Sequence, residues 1–289
     1  MGQVSRLVSD GVEIAVESDG PPEAPVVVLV HGYPDNRRVW DGVVERLVDD
    51  FRVVRYDVRG CGDSGAPAGR EGYRIDQLNR DLAAVMDAVS PDRPVHLVGH
   101  DWGSVQAWGA VSGNIEPRRI ASFTSISGPS LDHAGVWLRG LRGHGIGGAA
   151  TRLRQLAESA YVVAFQAPRL PELAWRSGVL DRLIALGSRA EPNRQERDKI
   201  NGLELYRANL IGRLRRPEPS RVSVPVQVIA PSRDPYVSVP LATQAPAPYT
   251  DDLRIDEVRG GHWVIADRPE VIADLIRDFI EALPVGAGR

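Results

Sequence analysis

Five apolar residues in unbroken succession, Val26 to Val30, constrain the folding of this chain more than any other feature. So short and uniform a run suits a strand buried on both faces, as in a parallel sheet covered by helices. Further strands are expected at Arg52 to Tyr56, Val95 to Val98, Ala121 to Ile126, Val226 to Ala230 and Leu253 to Val258. Between them Trp40 to Val48, Leu78 to Val89 and Val105 to Val111 carry apolar residues at helical spacing. Pro269 opens a last helix through Ala282, at a position that tolerates proline. The alternation predicts an α/β fold with a mostly parallel sheet, and Val12 to Glu17 reads as its edge strand.

The alternation stops between about Ser130 and Arg221, where the pattern is helical and rich in arginine. Residues 131–221 are therefore expected to form a helical domain inserted between two parts of the core, 1–130 and 222–289. From His133 to Arg221 there are 16 basic and 8 acidic residues, a balance of +8. The whole chain carries −3, so the remainder carries −11. A cationic lid that attracts acidic or phenolic substrates is one reading of this asymmetry, and a solvated helical surface is the other. Lys199 is the lone lysine among 35 basic residues, which points to genome composition rather than mechanism.

A net charge of −3 supplies no overall field for nucleic acid or an anionic membrane. Cys61 is the single cysteine, so neither an internal disulfide nor a cysteine-ligated zinc site is expected, and a cytoplasmic setting is the default. Met1 to Asp10 lacks the apolar run of a signal peptide, and no stretch approaches the roughly 18 apolar residues of a membrane span. Two glycine patterns, Gly60, Gly62 and Gly65 in GCGDSG and Gly143, Gly145 and Gly148 in GHGIGG, match the spacing of a dinucleotide loop. A phosphate loop should leave a strand and open a helix; the first holds Asp63 and opens none, and the second follows no strand. No cofactor and no metal are expected.

Chemistry concentrates in PVHLVGHDWGS, Pro94 to Ser104: a buried strand, then Gly99, His100, Asp101, Trp102 and Gly103, then small residues at helical spacing. Glycines on both flanks permit the cramped strand-to-helix turn of a nucleophile elbow, which lifts its central side chain above the sheet. The central residue is Asp101, and a carboxylate can displace a leaving group at an sp³ carbon to form an alkyl ester. Epoxide opening and halide displacement are the reactions that fit. An aspartate here also suits a helix N-cap, which is the competing reading. In VLVHGYPDN the residues after His31 and Gly32 leave the first buried strand, where the amide of Tyr33 could join that of Trp102 in an oxyanion hole. Asp234 in VIAPSRDPYV and His262 in VRGGHW each follow a buried strand, giving the chain order nucleophile, acid, histidine.

With these pieces in place, the sequence resembles the α/β-hydrolases of the epoxide hydrolase and haloalkane dehalogenase group over almost its whole length. HGYP is similar to that group's HGFP element, DVRGCGDSG to its loop after the fourth strand, and GHDWG to its aspartate elbow. The resemblance implies an eight-stranded, mostly parallel sheet flanked by helices, with the insertion as a cap over the site. It further implies two cap tyrosines that hydrogen-bond an epoxide oxygen. Tyr161 in YVVAFQAP and Tyr206 in GLELYRANL match them. Each tyrosine alone is equally explained as an amphipathic packing residue.

The expected function is therefore a cofactor-independent epoxide hydrolase that makes a vicinal diol. Asp101 would be the nucleophile, His262 the base oriented by Asp234, and Tyr161 and Tyr206 the proton donors, with Trp102 and both tyrosines against a hydrophobic or polycyclic substrate. Two alternatives stand beside it. A haloalkane dehalogenase would use Trp102 as a halide donor, although Tyr33 replaces that group's usual Asn after HG. A non-catalytic, ligand-binding protein of the same fold is the reading from another class. The sequence leaves open a monomer or a homodimer, and a biosynthetic role on a natural-product epoxide. The segment Gln166 to Pro171 lacks the group's usual glycine, so the cap path is expected to differ there. His31 and His100 read as structural, while His96, His133 and His144 have no partner visible in the sequence. Pro284 to Arg289 reads as a loose tail.

Overall fold

A computed structural model describes residues 2–141, 145–185 and 193–284. Its centre is an eight-stranded sheet: β1 (Gln3–Ser9), β2 (Val12–Asp19), β3 (Val26–Val30), β4 (Arg52–Tyr56), β5 (Val95–His100), β6 (Ile120–Ile126), β7 (Val226–Pro231) and β8 (Leu253–Val258). They lie in the order β1-β2-β4-β3-β5-β6-β7-β8. The β1–β2 and β2–β4 pairs are antiparallel and the remaining pairs are parallel. The edge is thus β1, not Val12 to Glu17. Its exposed, mixed sequence QVSRLVS offers no buried run to read, and β2 lies inside it, paired on both sides.

Strand β3 shows why the sheet is two-sided. Val26, Val28 and Val30 pack into one apolar layer and Val27 and Leu29 into the other, as the two-residue period of a strand requires. The first layer is closed by α2 (Ile75–Val89) and α3 (Trp102–Gly109). The second is closed by α1 (Asp41–Leu47), α12 (Val264–Asp267) and α13 (Pro269–Glu281), which buries Ile272, Ile276 and Phe279 at helical spacing.

Between β6 and β7 run α4 (Leu131–Gly140), α5 (Gly145–Glu158), α6 (Ala160–Gln166), α7 (Leu170–Arg176), α8 (Val179–Ala185), α9 (Glu196–Asn201) and α10 (Leu203–Arg215); α11 (Val239–Gln244) follows β7. The path the sequence left uncertain turns at Arg169, which takes a left-handed φ of 65° just before α7. The α9–α10 stretch is fastened to the core by polar bonds. The buried Asp198 carboxylate accepts from Asn36 Nδ2 (2.9 Å), Gly62 N (2.7 Å) and Gln195 N (2.9 Å). Asn201 donates to the Gly60 carbonyl, Arg197 to those of Gly62 and Ser64, and Arg194 to the buried Asp35. Among the described residues the α5–α8 stretch has fewer such ties: Gln155 bonds the Tyr236 carbonyl and the Ser238 hydroxyl. Much of its hold runs through Arg207 of α10, which binds the carbonyls of Phe165 and Ala167 and the carboxylate of Glu172.

Candidate active site

The turn from β5 to α3 is the strained one the glycines suggested. Asp101 has φ 51° and ψ −122°, a backbone state that costs a non-glycine residue about 1–3 kcal/mol and persists where the surroundings enforce it. A Cβ on Gly103 would stand 2.1 Å from the Val30 carbonyl oxygen, so the first turn of α3 lies directly against β3. Asp101 stands at the N-cap position of α3, but its side chain makes no capping bond to the helix. Its Oδ1 instead accepts the Tyr33 N–H at 2.7 Å. A side chain at Gly32 would collide with that carboxylate, so the neighbouring turn is shaped around it. The helix starts at Trp102, three residues before the Val105 expected from spacing, because the elbow compresses the turn.

His262 lies in the loop after β8 and Asp234 in the loop after β7, and two backbone bonds lock these loops together: Ser232 N to Val258 O at 2.8 Å and Arg233 N to Gly260 O at 2.9 Å. Asp234 Oδ2 is 2.9 Å from His262 Nδ1, and its Oδ1 accepts from the amides of Tyr236 (2.8 Å) and Val237 (3.1 Å). His262 Nε2 faces Asp101 Oδ2 at 3.5 Å. Burial alone would lower the His262 pKa, but the charge of Asp234 and the contact with Asp101 raise it instead. Asp234 shows the converse: burial opposes its charge, yet His262, the Tyr236 amide and Ser127 hold it below the ordinary carboxylate range.

Tyr161 of α6 and Tyr206 of α10 stand with ring centroids 6.0 Å apart, and Trp102 meets Tyr206 edge-on at 4.9 Å. Burial, with the nearby Asp101 charge, pushes both phenols up, so both keep their protons and can donate them. Two cavities converge here. A wide lobe of about 570 Å³ is lined with apolar side chains such as Leu138, Val162, Leu210 and Leu241, and a narrow lobe of about 200 Å³ by Phe165, Trp175, Ile184 and His262. Asp101, Tyr161, Tyr206 and Tyr236 line both. Trp102 borders the wide lobe and Tyr33 the narrow one.

The structure therefore gathers Asp101, Asp234, His262, Tyr161, Tyr206, Tyr33 and Trp102 at one place. It adds Tyr236, which sequence reasoning passed over although it lies two residues after Asp234. Its ring is edge-on to His262 (4.9 Å) and to Tyr161 (5.2 Å). The other described histidines bond to backbone groups or to a serine. His31 Nδ1 is 2.9 Å from the Gly32 carbonyl and its Nε2 accepts the Val58 N–H, stitching the two loops. His100 Nε2 meets the His262 carbonyl, His96 meets Ser122, and His133 meets the Ser220 carbonyl. His144 and Gly143 lie outside the described residues, as does 285–289. Among the described residues no group of three or more His, Cys, Asp or Glu could hold a metal ion, and no helix is long and apolar enough to cross a membrane.

This chain belongs to the α/β-hydrolase fold family, whose sequence profile matches residues 25–269. Among curated relatives, the probable oxidoreductase EphD of Mycobacterium tuberculosis (strain ATCC 25618 / H37Rv) is 37% identical over 302 residues, covering 96% of this chain and 50% of that protein. The chain thus spans about half the length of that relative. Epoxide hydrolase A of the same organism is 28% identical over 323 residues, covering 96% of this chain and 97% of that protein. Among solved structures, a variant epoxide hydrolase from Bacillus megaterium, complexed with its naphthyloxy-propanediol product, aligns with a TM-score of 0.80 at 22% identity. It covers 96% of this chain and 100% of the other, a likeness of fold.

Proposed function

We propose that the protein is an epoxide hydrolase acting through an alkyl ester on Asp101. The observation that carries the reading is the placement of one carboxylate and two protonated phenols, Tyr161 and Tyr206, on the same two cavity walls. Halide departure needs no proton donor; an epoxide oxygen does. The relatives named epoxide hydrolases support the same reading, with residues 131–221 as the cap.

The two oxygens of Asp101 have different neighbours and so different tasks. Oδ2 is the attacking atom: it forms a bond to an epoxide carbon as the carbon–oxygen bond of the ring breaks. The released alkoxide takes a proton from Tyr161 or Tyr206. Forming the ester removes the Asp101 charge and contact that help hold a proton on His262, so alkylation lowers the pKa of the imidazole; its proton passes to solvent, to be regained when the Asp101 carboxylate re-forms, and the neutral ring is a base. His262 Nε2 then takes a proton from water as that water attacks the Asp101 carbonyl carbon, and Asp234 steadies the charged ring. Charge collects on Oδ1, where the Tyr33 amide already donates, with the Trp102 amide as the second donor of the oxyanion hole. Collapse expels the diol oxygen, which takes the proton from His262. The proton shed by the regenerated carboxyl balances the one the phenol gave.

The test is intact-mass spectrometry of His262→Gln after exposure to mixed epoxides and haloalkanes. The variant is expected to gain a whole epoxide mass, and to lose that gain when Asp101→Ala is added. Asp101→Ala alone should leave no measurable diol formation. A gain equal to a haloalkane less its hydrogen halide would move the assignment to a dehalogenase. No adduct from any compound would defeat the covalent mechanism and favour the ligand-binding alternative.

A further inference from the structure

Tyr33 reaches the nucleophile with its backbone and the helical insertion with its side chain. Its N–H donates to Asp101 Oδ1 at 2.7 Å. Its buried hydroxyl donates to the Lys199 carbonyl of α9 at 2.8 Å and accepts the indole N–H of Trp175 on α7. The ring meets Phe165, Trp175 and Tyr206 edge-on, with centroids 5.9, 6.0 and 5.3 Å away. Gly202, between α9 and α10, leaves room for it: a Cβ there would come within 2.2 Å of Tyr33 Cδ2. Lys199 strengthens the same junction, its ammonium 5.5 Å from the centre of the Trp175 ring and 2.7 Å from Asp181 of α8. One phenol oxygen thus joins α7 and α9, from two different stretches of the insertion, to the loop that presents an amide to Asp101.

Packing alone does not call for that oxygen. A phenylalanine would fill nearly the same space, and a buried hydroxyl is costly unless its bonds are made. We propose that Tyr33 is a positioning residue for ester hydrolysis: by seating the insertion on its phenol, it fixes its own N–H on the oxygen that becomes the oxyanion. The inference rests on the reading of Asp101 as an ester-forming nucleophile. The two steps respond to the amide in opposite senses. During alkylation Oδ1 loses negative charge, so a poorly placed donor does not slow that step. During hydrolysis Oδ1 gains charge, and a displaced donor slows it.

The experiment is rapid-quench kinetics with intact-mass detection of the ester, using an epoxide that the wild-type protein turns over. Tyr33→Phe is expected to slow ester hydrolysis about 10-fold, with alkylation within about 3-fold of wild type, so that ester accumulates. Trp175→Phe removes one of the hydroxyl's two bonds from the other side and should show the same split at a smaller size. The double variant should be little worse than Tyr33→Phe alone, because that substitution already removes both bonds. If Tyr33→Phe does not fold, Trp175→Phe and Gly202→Ala, which displaces the ring, carry the test. Equal slowing of both steps, additive losses, or an unchanged hydrolysis rate would each overturn the proposal. A wild-type enzyme that makes diol with no ester at Asp101 would overturn the covalent mechanism itself, whereas a wild-type ester whose lifetime ignores Tyr33 overturns this inference alone.

Discussion

Two stretches of the helical insertion face the same cavity and are held in different ways. The α9–α10 stretch, with Tyr206, is bound to the core through Asp198, Asn201, Arg197 and Arg194, mostly to backbone groups of two core loops. The α5–α8 stretch, with Tyr161, reaches the core through Gln155 and Trp175, leans on Arg207 of the other stretch, and leaves Leu153, Val163, Leu173 and Leu183 exposed. Bonds to buried backbone groups fix distances, whereas apolar contact tolerates sliding. The difference teaches that the two phenols are not equivalent: one is placed by the core and the other is placed by its neighbour.

Substitutions can break that contrast or sharpen it. The largest effect is expected for Asp198→Ala, which removes three hydrogen bonds at once and leaves the buried Gly62 N–H without its partner; it should lower unfolding stability by about 3 kcal/mol in urea titrations. Acidification should separate the core from this anchor. Burial depresses His96 and His100, each to about 4. Their contribution to stability is therefore present above the unfolded value of about 6.5 and lost as pH falls toward 4. Burial instead raises the Asp198 carboxyl, so the anchor does not weaken over that interval. Thermal unfolding measured from pH 8 to pH 4 should show a falling midpoint below about 6.5, and His96→Gln should flatten that limb; a level profile would contradict the burial of neutral imidazoles. On the other stretch Gln155→Ala should cost about 1–2 kcal/mol, and a loss equal to that of Asp198→Ala would erase the contrast. Val163→Gln, at an exposed site, should change stability by less than about 0.5 kcal/mol.

Legibility in the sequence follows the same physics. Strands β4 and β8 were readable to the residue, because turn residues flank them. Helix starts were less visible. Helix α2 begins at Ile75 rather than Leu78, after an Arg74 that makes no side-chain cap, so no N-terminal signal marks it. Apart from Tyr236, the residues gathered around Asp101 are legible because each follows a buried strand or repeats a known pattern. The Asp198 anchor did not: Asn36 and Asp198 are 162 positions apart and neither sits in a periodic run. The task of the Tyr33 hydroxyl is not visible in the sequence either, because its two partners lie on helices whose packing no local rule dictates.

The unequal lobes on either side of Asp101 bear on the outcome of the proposed reaction. On the proposed reading, an epoxide with one bulky and one slender arm would enter the 570 Å³ and 200 Å³ spaces in a single sense. That sense decides which ring carbon meets Oδ2, and hence which mirror form of the diol is made. Handedness would then be set by the difference in room on the two sides of the nucleophile, so that a residue enlarging the narrow lobe, far from any proton transfer, could invert the product without touching the chemistry.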